Sequence, residues 1–158
     1  MKMFKRTIDD YSIAKQITLL LNKNNKLTIR YQPEDILHVK DTYIVETIGE
    51  IVIGCIQVEK QSYIMSELKH LVVHPDMRKR GIAKNLVLAG IKKSITPLLY
   101  ATIRQDNIAS LNTFKFCKFL CVGKYTTGNR NILLHVITCP KWDEQVYKTE
   151  DCACSSIR

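Results

Sequence analysis

Glu67-Leu68-Lys69-His70-Leu71-Val72-Val73-His74-Pro75-Asp76-Met77-Arg78-Lys79-Arg80-Gly81-Ile82-Ala83 is the stretch on which the reading of this chain turns. Its first half is an apolar run that fits a strand, and Pro75-Asp76 closes it. Three consecutive cations follow, and Gly81 opens a run to Lys93 that reads as a helix with Ile82, Leu86, Ala89 and Ile91 on its buried side. The first turn of a helix leaves amide N–H groups unpaired at the positive end of the helix dipole, and a glycine there lets an anion approach the backbone. Arg78, Lys79, Arg80 and the amides from Arg80 through Gly81, Ile82, Ala83 and Lys84 would therefore cradle a pyrophosphate. The same residues also suit a solvated basic loop. This is not a Walker loop, because a single glycine is present and no Gly-Lys-Ser/Thr follows.

Working outward, Tyr63 to Val73 forms the strand that feeds this loop. Before it, Tyr43-Ile44-Val45 and Glu50 to Val58 are β-branched runs separated by Ile48-Gly49, a hairpin pattern. Asp9-Asp10 precede Ile13, Ile17, Leu20 and Leu21, one apolar helical face with acidic residues at its start. Pro33-Glu34-Asp35 opens a short helical turn, and residues 3–7 suit a short strand. Downstream, Pro97 to Ile103 reads as a strand, Asn107 to about Cys117 as a helix, and Phe119 to Tyr125 and Ile132 to Thr138 as the last two strands. This order is not a βαβ alternation. It predicts an α+β fold with a mixed, mostly antiparallel central sheet and helices on its faces. Residues 1–138 make one domain, and 139–158 read as a C-terminal tail without periodicity.

Composition narrows the class. The chain has 158 residues, 46% of them apolar and 25% charged, which suits a single globular domain and excludes disordered and collagen-like classes. No window approaches the roughly 18 to 20 uncharged apolar residues of a membrane span. Met-Lys-Met-Phe-Lys-Arg leads into a polar stretch rather than a signal-peptide core, so a soluble, cytoplasmic protein is the expectation. The formal net charge of +9 favours anionic partners without choosing among them. Cysteines 55, 117, 121, 139, 152 and 154 follow neither a secreted scaffold nor zinc-finger spacing, so reduced thiols and no metal are expected.

Arg78-x-x-Gly81-x-Ala83, following a strand that ends Leu71-Val72-Val73-His74-Pro75, resembles the acyl-CoA-binding motif Gln/Arg-x-x-Gly-x-Gly/Ala of the GNAT superfamily of N-acetyltransferases. Asn107-Ile108-Ala109-Ser110-Leu111-Asn112-Thr113-Phe114, then Phe119, resembles the second motif, Asn-x-x-Ala/Ser-x-x-x-Tyr/Phe, at the right distance downstream. The resemblance spans roughly residues 3–138. It implies a GNAT-type sheet splayed between its two central strands and acetyl-CoA as acyl donor, with no metal. It also implies direct attack of an amine on the thioester. By the same resemblance, the backbone of Leu71, Val72 and Val73 would bind the pantetheine arm. Arg78, Lys79, Arg80, Gly81, Ile82, Ala83 and Lys84 would hold the pyrophosphate. Asn107, Ser110 and Phe114 would line the far side of the channel. Glu67 stands where several protein-acetylating members carry a catalytic glutamate, and it is the candidate base. The alternatives are a solvent-facing glutamate or an ion pair with Lys69. A backbone N–H near Val72 or Val73 is the candidate oxyanion donor.

Two departures from the motif matter. Phe114 stands where many members have a tyrosine that protonates the departing thiolate, which leaves Tyr125 or Tyr100 for that task. Lys118 replaces the usual glycine before Phe119, implying an altered turn or a cation facing the acceptor or CoA. Among the weaker candidates, His70 reads as a structural strand histidine, His74 as a turn residue, and Cys117 and Cys121 as small apolar fillers. Trp142 reads as packed on the sheet. Glu34, Asp35, Asp41 and Glu46 are the few acids expected near the acceptor mouth, set by residues 20–40 and the loop 124–131. With the basic excess, that scarcity points to a protein amine ahead of a small molecule. An aminoacyl-tRNA or other nucleic acid amine is the alternative, as is a non-catalytic CoA-binding module that kept the fold. A homodimer is compatible with the family. Nucleic-acid binding without chemistry lacks support, because no aromatics alternate with the cations.

Overall fold

The computed structural model describes residues 8–138. The strand expected over residues 3–7 and the segment 139–158, with Cys139, Trp142, Cys152 and Cys154, lie outside the described residues. Helix α1 spans Asp10–Asn24, with the Asp9 carboxylate accepting the Ser12 N–H at 2.9 Å as its cap. Helix α2, Pro33–His38, starts on the proline, and the Gln32 N–H donates to Asp35 at 2.7 Å. Strands β1 (Tyr43–Ile48) and β2 (Ile51–Lys60) form the expected hairpin, with Gly49 at φ 60 in its turn. Then come β3 (Met65–Val73), α3 (Ile82–Lys93), β4 (Leu98–Arg104), α4 (Ile108–Phe116), β5 (Leu120–Thr127) and β6 (Arg130–Thr138).

The six strands make one sheet in the order β1-β2-β3-β4-β6-β5, antiparallel except for β3 beside β4. Helices α3 and α4 cover one face, where Leu86, Val87 and Phe114 pack on Ile56, Val58, Leu68, Val73, Leu99, Ala101 and Ile103. Helices α1 and α2 cover part of the other, where Ala14, Ile17, Leu20, Leu21 and Ile36 pack on Tyr43, Val52, Cys55 and Val72. Strand β2 is therefore buried on both sides, which explains its unbroken apolar run.

The parallel pairing of β3 and β4 is short. It joins Met65 to Leu98, Ser66 to Leu99 and Glu67 to Tyr100, and then stops. A buried hydroxyl cluster pins the closed end, with Thr96 Oγ1 2.8 Å from Ser66 Oγ and 3.2 Å from Ser94 Oγ. Beyond Glu67, β3 follows β2 while β4 follows β6, so the sheet opens. A bulge assists the divergence: the β2–β3 register shifts between Cys55 and Gln57, and His70 takes a φ of 58.

Three local expectations need correction. In α3 the buried residues are Leu86, Val87 and Gly90, with Ile82, Ala89 and Ile91 only partly covered. The contact stripe runs through Gly90, where an added Cβ would sit 2.9 Å from Leu68 Cδ2, and a glycine contributes nothing to an apolar pattern. The turn after α4 is not altered by Lys118. That residue takes φ 71 and its N–H donates to the Lys115 carbonyl, while the Phe119 N–H reaches back to the Phe114 carbonyl, both at 3.0 Å. This is a Schellman ending with lysine in the glycine position, and the accompanying apolar contact is Phe114 against Phe119, ring centroids 5.0 Å apart. Finally, Cys117 is buried as expected but Cys121 is exposed, because β5 is an edge strand open to solvent along nearly its whole length.

Candidate active site

The opening between β3 and β4 is a cleft of about 350 Å³, lined by Leu68 to Leu71 on one side and Ala101 to Arg104 on the other. Asn107, Ser110 and Phe114 of the α4 segment also line it. Asn107 also caps α4, its carboxamide oxygen accepting the Ser110 N–H at 3.2 Å. Because the His74 N–H donates to the Ile53 carbonyl at 2.8 Å, strand alternation turns the polar groups of Val72 toward β2 and those of Leu71 and Val73 toward the opening. Of the three backbones expected to meet a ligand, Leu71 and Val73 are thus the ones presented.

The loop after β3 is held from inside. Arg78 Nε donates to the Val73 carbonyl at 3.2 Å and its Nη2 reaches Asn24 Oδ1 at 3.4 Å, so the motif arginine ties the loop to its own strand and to the end of α1. Lys79 and Gly81 take φ values of 61 and 79, and the chain turns sharply into α3. No side chain caps that helix and no acid stands in its first turn. The first internal bond is the Asn85 N–H to the Gly81 carbonyl, so the amides of Ile82, Ala83 and Lys84 project from the helix end among Lys79, Arg80 and Lys84. An anion with several oxygens fits this end, and the thiol-bearing arm attached to it would run into the cleft.

On the face of the sheet opposite α3, Glu67 is half-buried beside β4. Its carboxylate lies 3.3 Å from Thr102 Oγ1 and 3.5 Å from Tyr100 Oη, hydroxyl donors at the long end of hydrogen bonding. Lys69 pairs instead with Glu59 at 2.5 Å, so Glu67 is not neutralised by its strand neighbour. Burial and the adjacent Glu67 carboxylate raise the Tyr100 pKa, which keeps it a phenol at neutral pH. Tyr125 of β5 is half exposed and close enough for its charge to act on Tyr100.

A second polar group was missed in the sequence. His70, at the bulge, places Nδ1 2.6 Å from the Tyr43 hydroxyl and Nε2 3.0 Å from the Tyr31 hydroxyl. Burial, reinforced by the charge of Lys69, pushes its imidazole down to about 4. Burial also raises both phenols. Tyr31 belongs to the loop between α1 and α2, and Asn22 of α1 brackets it by accepting its N–H and donating to its carbonyl.

A sequence model of the acetyltransferase (GNAT) family matches residues 10–119, most of the chain. The chain belongs to the GNAT family. An acetyltransferase of Pectobacterium atrosepticum is 30% identical over 98 residues, covering 60% of this chain and 69% of its own length. Among solved structures, the yncA acetyltransferase of Salmonella typhimurium, determined with acetyl-CoA, aligns with a TM-score of 0.71 at 14% identity over 84% of this chain and 92% of its own. A ribosomal-protein-alanine N-acetyltransferase of Brucella melitensis aligns at 0.68 and 16% identity, over 82% and 94%. As a GNAT protein the chain is an acyltransferase, and its splayed mixed sheet is the fold that the resemblance implied.

Within this GNAT fold the two expected motifs converge: the basic turn stands at the end of β3, and Asn107, Ser110 and Phe114 flank the cleft into which β3 opens. Phe114 is 2% exposed and packed on Phe119, a wall with no proton to give. Around Glu67 and His70 the nearby acid is Glu59, paired with Lys69, and Asp35 is close enough to act on Tyr31. Glu46 lies on the outer strand, and Asp41 is exposed with its carbonyl accepting from Lys93. The signal that would have found the His70 group is weak: a histidine in a strand and tyrosines 39 and 27 positions away in sequence. Among the described residues no cluster suited to a metal exists.

Proposed function

We propose that this chain transfers the acetyl group of acetyl-CoA to a protein amine, with Glu67 as the proton acceptor. The observation that carries the reading is that β3 runs from Glu67 along one wall of the cleft and ends at the uncapped basic turn of α3. The pyrophosphate would sit on the amides of Ile82, Ala83 and Lys84, with Lys79 and Arg80 around it. The pantetheine arm would pair with the Leu71 and Val73 backbone as an added strand does. Of the N–H groups that β3 turns to the opening, that of Leu71 would serve the oxyanion, because Val73 stands about 20 Å along the strand from Glu67 and its carbonyl is taken by Arg78.

The acceptor ammonium gives a proton to Glu67, and the freed amine nitrogen bonds to the acyl carbon. The carbon–sulfur bond then breaks as the nitrogen gives its second proton to water, and the thiolate either leaves unprotonated, which its pKa of about 8.5 permits, or takes a proton from Tyr125, which water restores. Tyr100 holds the Glu67 carboxylate in place. A protein amine is favoured by the chain's net charge of +9 and by the few unpaired acids near the acceptor side, where Lys69 already neutralises Glu59. The Brucella relative, named for a ribosomal protein, adds support.

Labelled acetyl-CoA incubated with the enzyme and a cell lysate, then fractionated into protein, nucleic acid and small molecules, tests the reading. Label enters protein, and Glu67→Gln lowers the rate while acetyl-CoA still binds. Label only in another pool refutes the protein acceptor, and an unchanged rate for Glu67→Gln refutes the assigned base.

A further inference from the structure

Past the end of β4 lies a second hollow, of about 460 Å³, lined by Arg104, Gln105, Asp106, Asn129, Arg130 and Asn131. Arg104 and Asp106 also line the cleft between β3 and β4, so the two spaces share a wall. The lining of the hollow is rich in donors. Arg104 Nε donates to Asp106 Oδ1 at 2.9 Å and its Nη2 to Oδ2, while Lys26 Nζ stands 3.9 Å from the same carboxylate. The one acid in the wall is thus engaged, and Arg104 keeps the N–H groups of its outer edge. Asn131 Oδ1 accepts the Thr126 hydroxyl at 3.0 Å, which leaves its amide N–H groups to donate. The Gln105 N–H meets the Asn131 carbonyl at 2.9 Å, so the two sides of the hollow are fixed to each other. Arg130 is half-buried, and no acid pairs with it among the described residues. A guanidinium partly withdrawn from water without a carboxylate calls for an anion. Both arginines stand on the Glu67 face of the sheet. Strand alternation puts Arg104 on the side of Tyr100 and Thr102, whose hydroxyls meet Glu67, and Arg130 on the side of Ile132, the cross-strand partner of Arg104. Arg104 comes four residues after Tyr100, so the hollow begins about 13 Å along the strand from Glu67.

We propose that this hollow is a specificity subsite for an acidic side chain of the acceptor protein, an aspartate or glutamate about three to five residues from the amine that is acetylated, with Arg130 reading it. An extended peptide whose amine faces Glu67 covers the distance to the hollow in about four residues. The guanidinium edges of Arg130 and Arg104 present paired N–H donors that match the two oxygens of a carboxylate. The fixed negative charge of Asp106 in the wall admits a monoanion more readily than a phosphate dianion. This rests on the proposed transfer to a protein amine and narrows it.

The test offers acetyl-CoA and two series of short peptides without other charged side chains. One series has a free amino terminus and no lysine, and the other a blocked terminus and a single lysine. In each, one aspartate is moved position by position away from the amine, and phosphoserine is tried at the same places. In the series that is acetylated, kcat/KM should peak with aspartate about four residues from the amine, about tenfold above alanine there, the scale of one charge-assisted hydrogen bond. Arg130→Gln should bring that ratio to about one, and Arg130→Glu should take it lower, with the KM for acetyl-CoA unmoved in both. Equal rates for every aspartate position, a peak beside the amine, or a ratio that survives Arg130→Gln overturns this inference while acetyl transfer stands. A larger gain from phosphoserine than from aspartate overturns the carboxylate assignment. A raised acetyl-CoA KM in Arg130→Gln with the ratio intact would give the hollow to the donor and overturns it as well. Transfer to neither series overturns it together with the proposed function.

Discussion

Lys118 offers a quantitative check on how the second motif is built. It is a lysine at φ 71, closing α4 in the position that favours glycine. In the left-handed region an L-residue pays about 1–2 kcal/mol for crowding its Cβ against the following carbonyl. Glycine escapes that strain but loses roughly 0.4–1 kcal/mol through its freer unfolded chain. Lys118→Gly should therefore stabilise the protein by about 0.5–1 kcal/mol, or about 1–4 °C in Tm for a chain of this size. Lys118→Ala provides the control. It removes the same charge from the helix C-terminus and keeps the Cβ, so the difference between the two variants isolates the backbone. Urea unfolding and calorimetry give that difference, and titration calorimetry gives the affinity for acetyl-CoA, which should change in neither variant. If glycine and alanine prove equally stable, the strain argument is wrong. If both weaken acetyl-CoA binding, the lysine faces the donor and is present for its charge.

Three further expectations follow from particular contacts. His70 is held near a pKa of 4 in the fold against about 6.5 in the unfolded chain, so between those pH values the unfolded state binds the extra proton and stability falls as acid is added. Relative to His70→Gln, the wild type should lose up to about 3 kcal/mol between pH 7.5 and 4, and denaturant titrations that run parallel for the two proteins would refute this. Gly81→Ala meets no atom within 4 Å of its new Cβ, yet must hold φ 79 at the mouth of the amide cradle. It should fold and show a Kd for acetyl-CoA raised about tenfold or more, comparable to one charge-assisted hydrogen bond; unchanged affinity would argue against the cradle. Gly54→Ala would place a Cβ 3.1 Å from the Val72 carbonyl, 3.2 Å from Leu86 and 3.3 Å from Ile82, so it should cost about 1–3 kcal/mol in urea unfolding. A neutral result there would mean that α3 can lift from the sheet.

The basic turn proposed to bind phosphate was legible because its chemistry is local. A strand, a proline stop, three cations and a glycine opening a helix lie within seventeen consecutive residues, and the conformation that exposes the amides of Ile82 to Lys84 follows from that order alone. The element order and the family were legible for the same reason, since β-branched runs, caps and turn glycines act over a few residues. Even the anomaly at Lys118 could be seen as a departure, although its outcome could not. The left-handed turn survives because the Phe114–Phe119 contact and two backbone bonds are worth more than the strain in one residue.

The reacting side of the site was decided elsewhere. Whether Glu67 pairs with Lys69 depends on which way β2 presents Glu59, and among the described residues the partners left to Glu67 are the hydroxyls of Tyr100 and Thr102. The divergence of β3 and β4 arises from a bulge at His70 and from a hydroxyl cluster that clamps one end, neither of which has a pattern in the chain. Tyr31, Tyr43 and His70 come from a loop and two strands, and the fold alone sets both hydroxyls against one imidazole. Local order along the chain thus determined the basic turn before α3. The polar groups around Glu67 and His70 come from positions far apart in sequence, and only the pairing of β3 with β4 and the packing of the α1–α2 segment on the sheet bring them into contact.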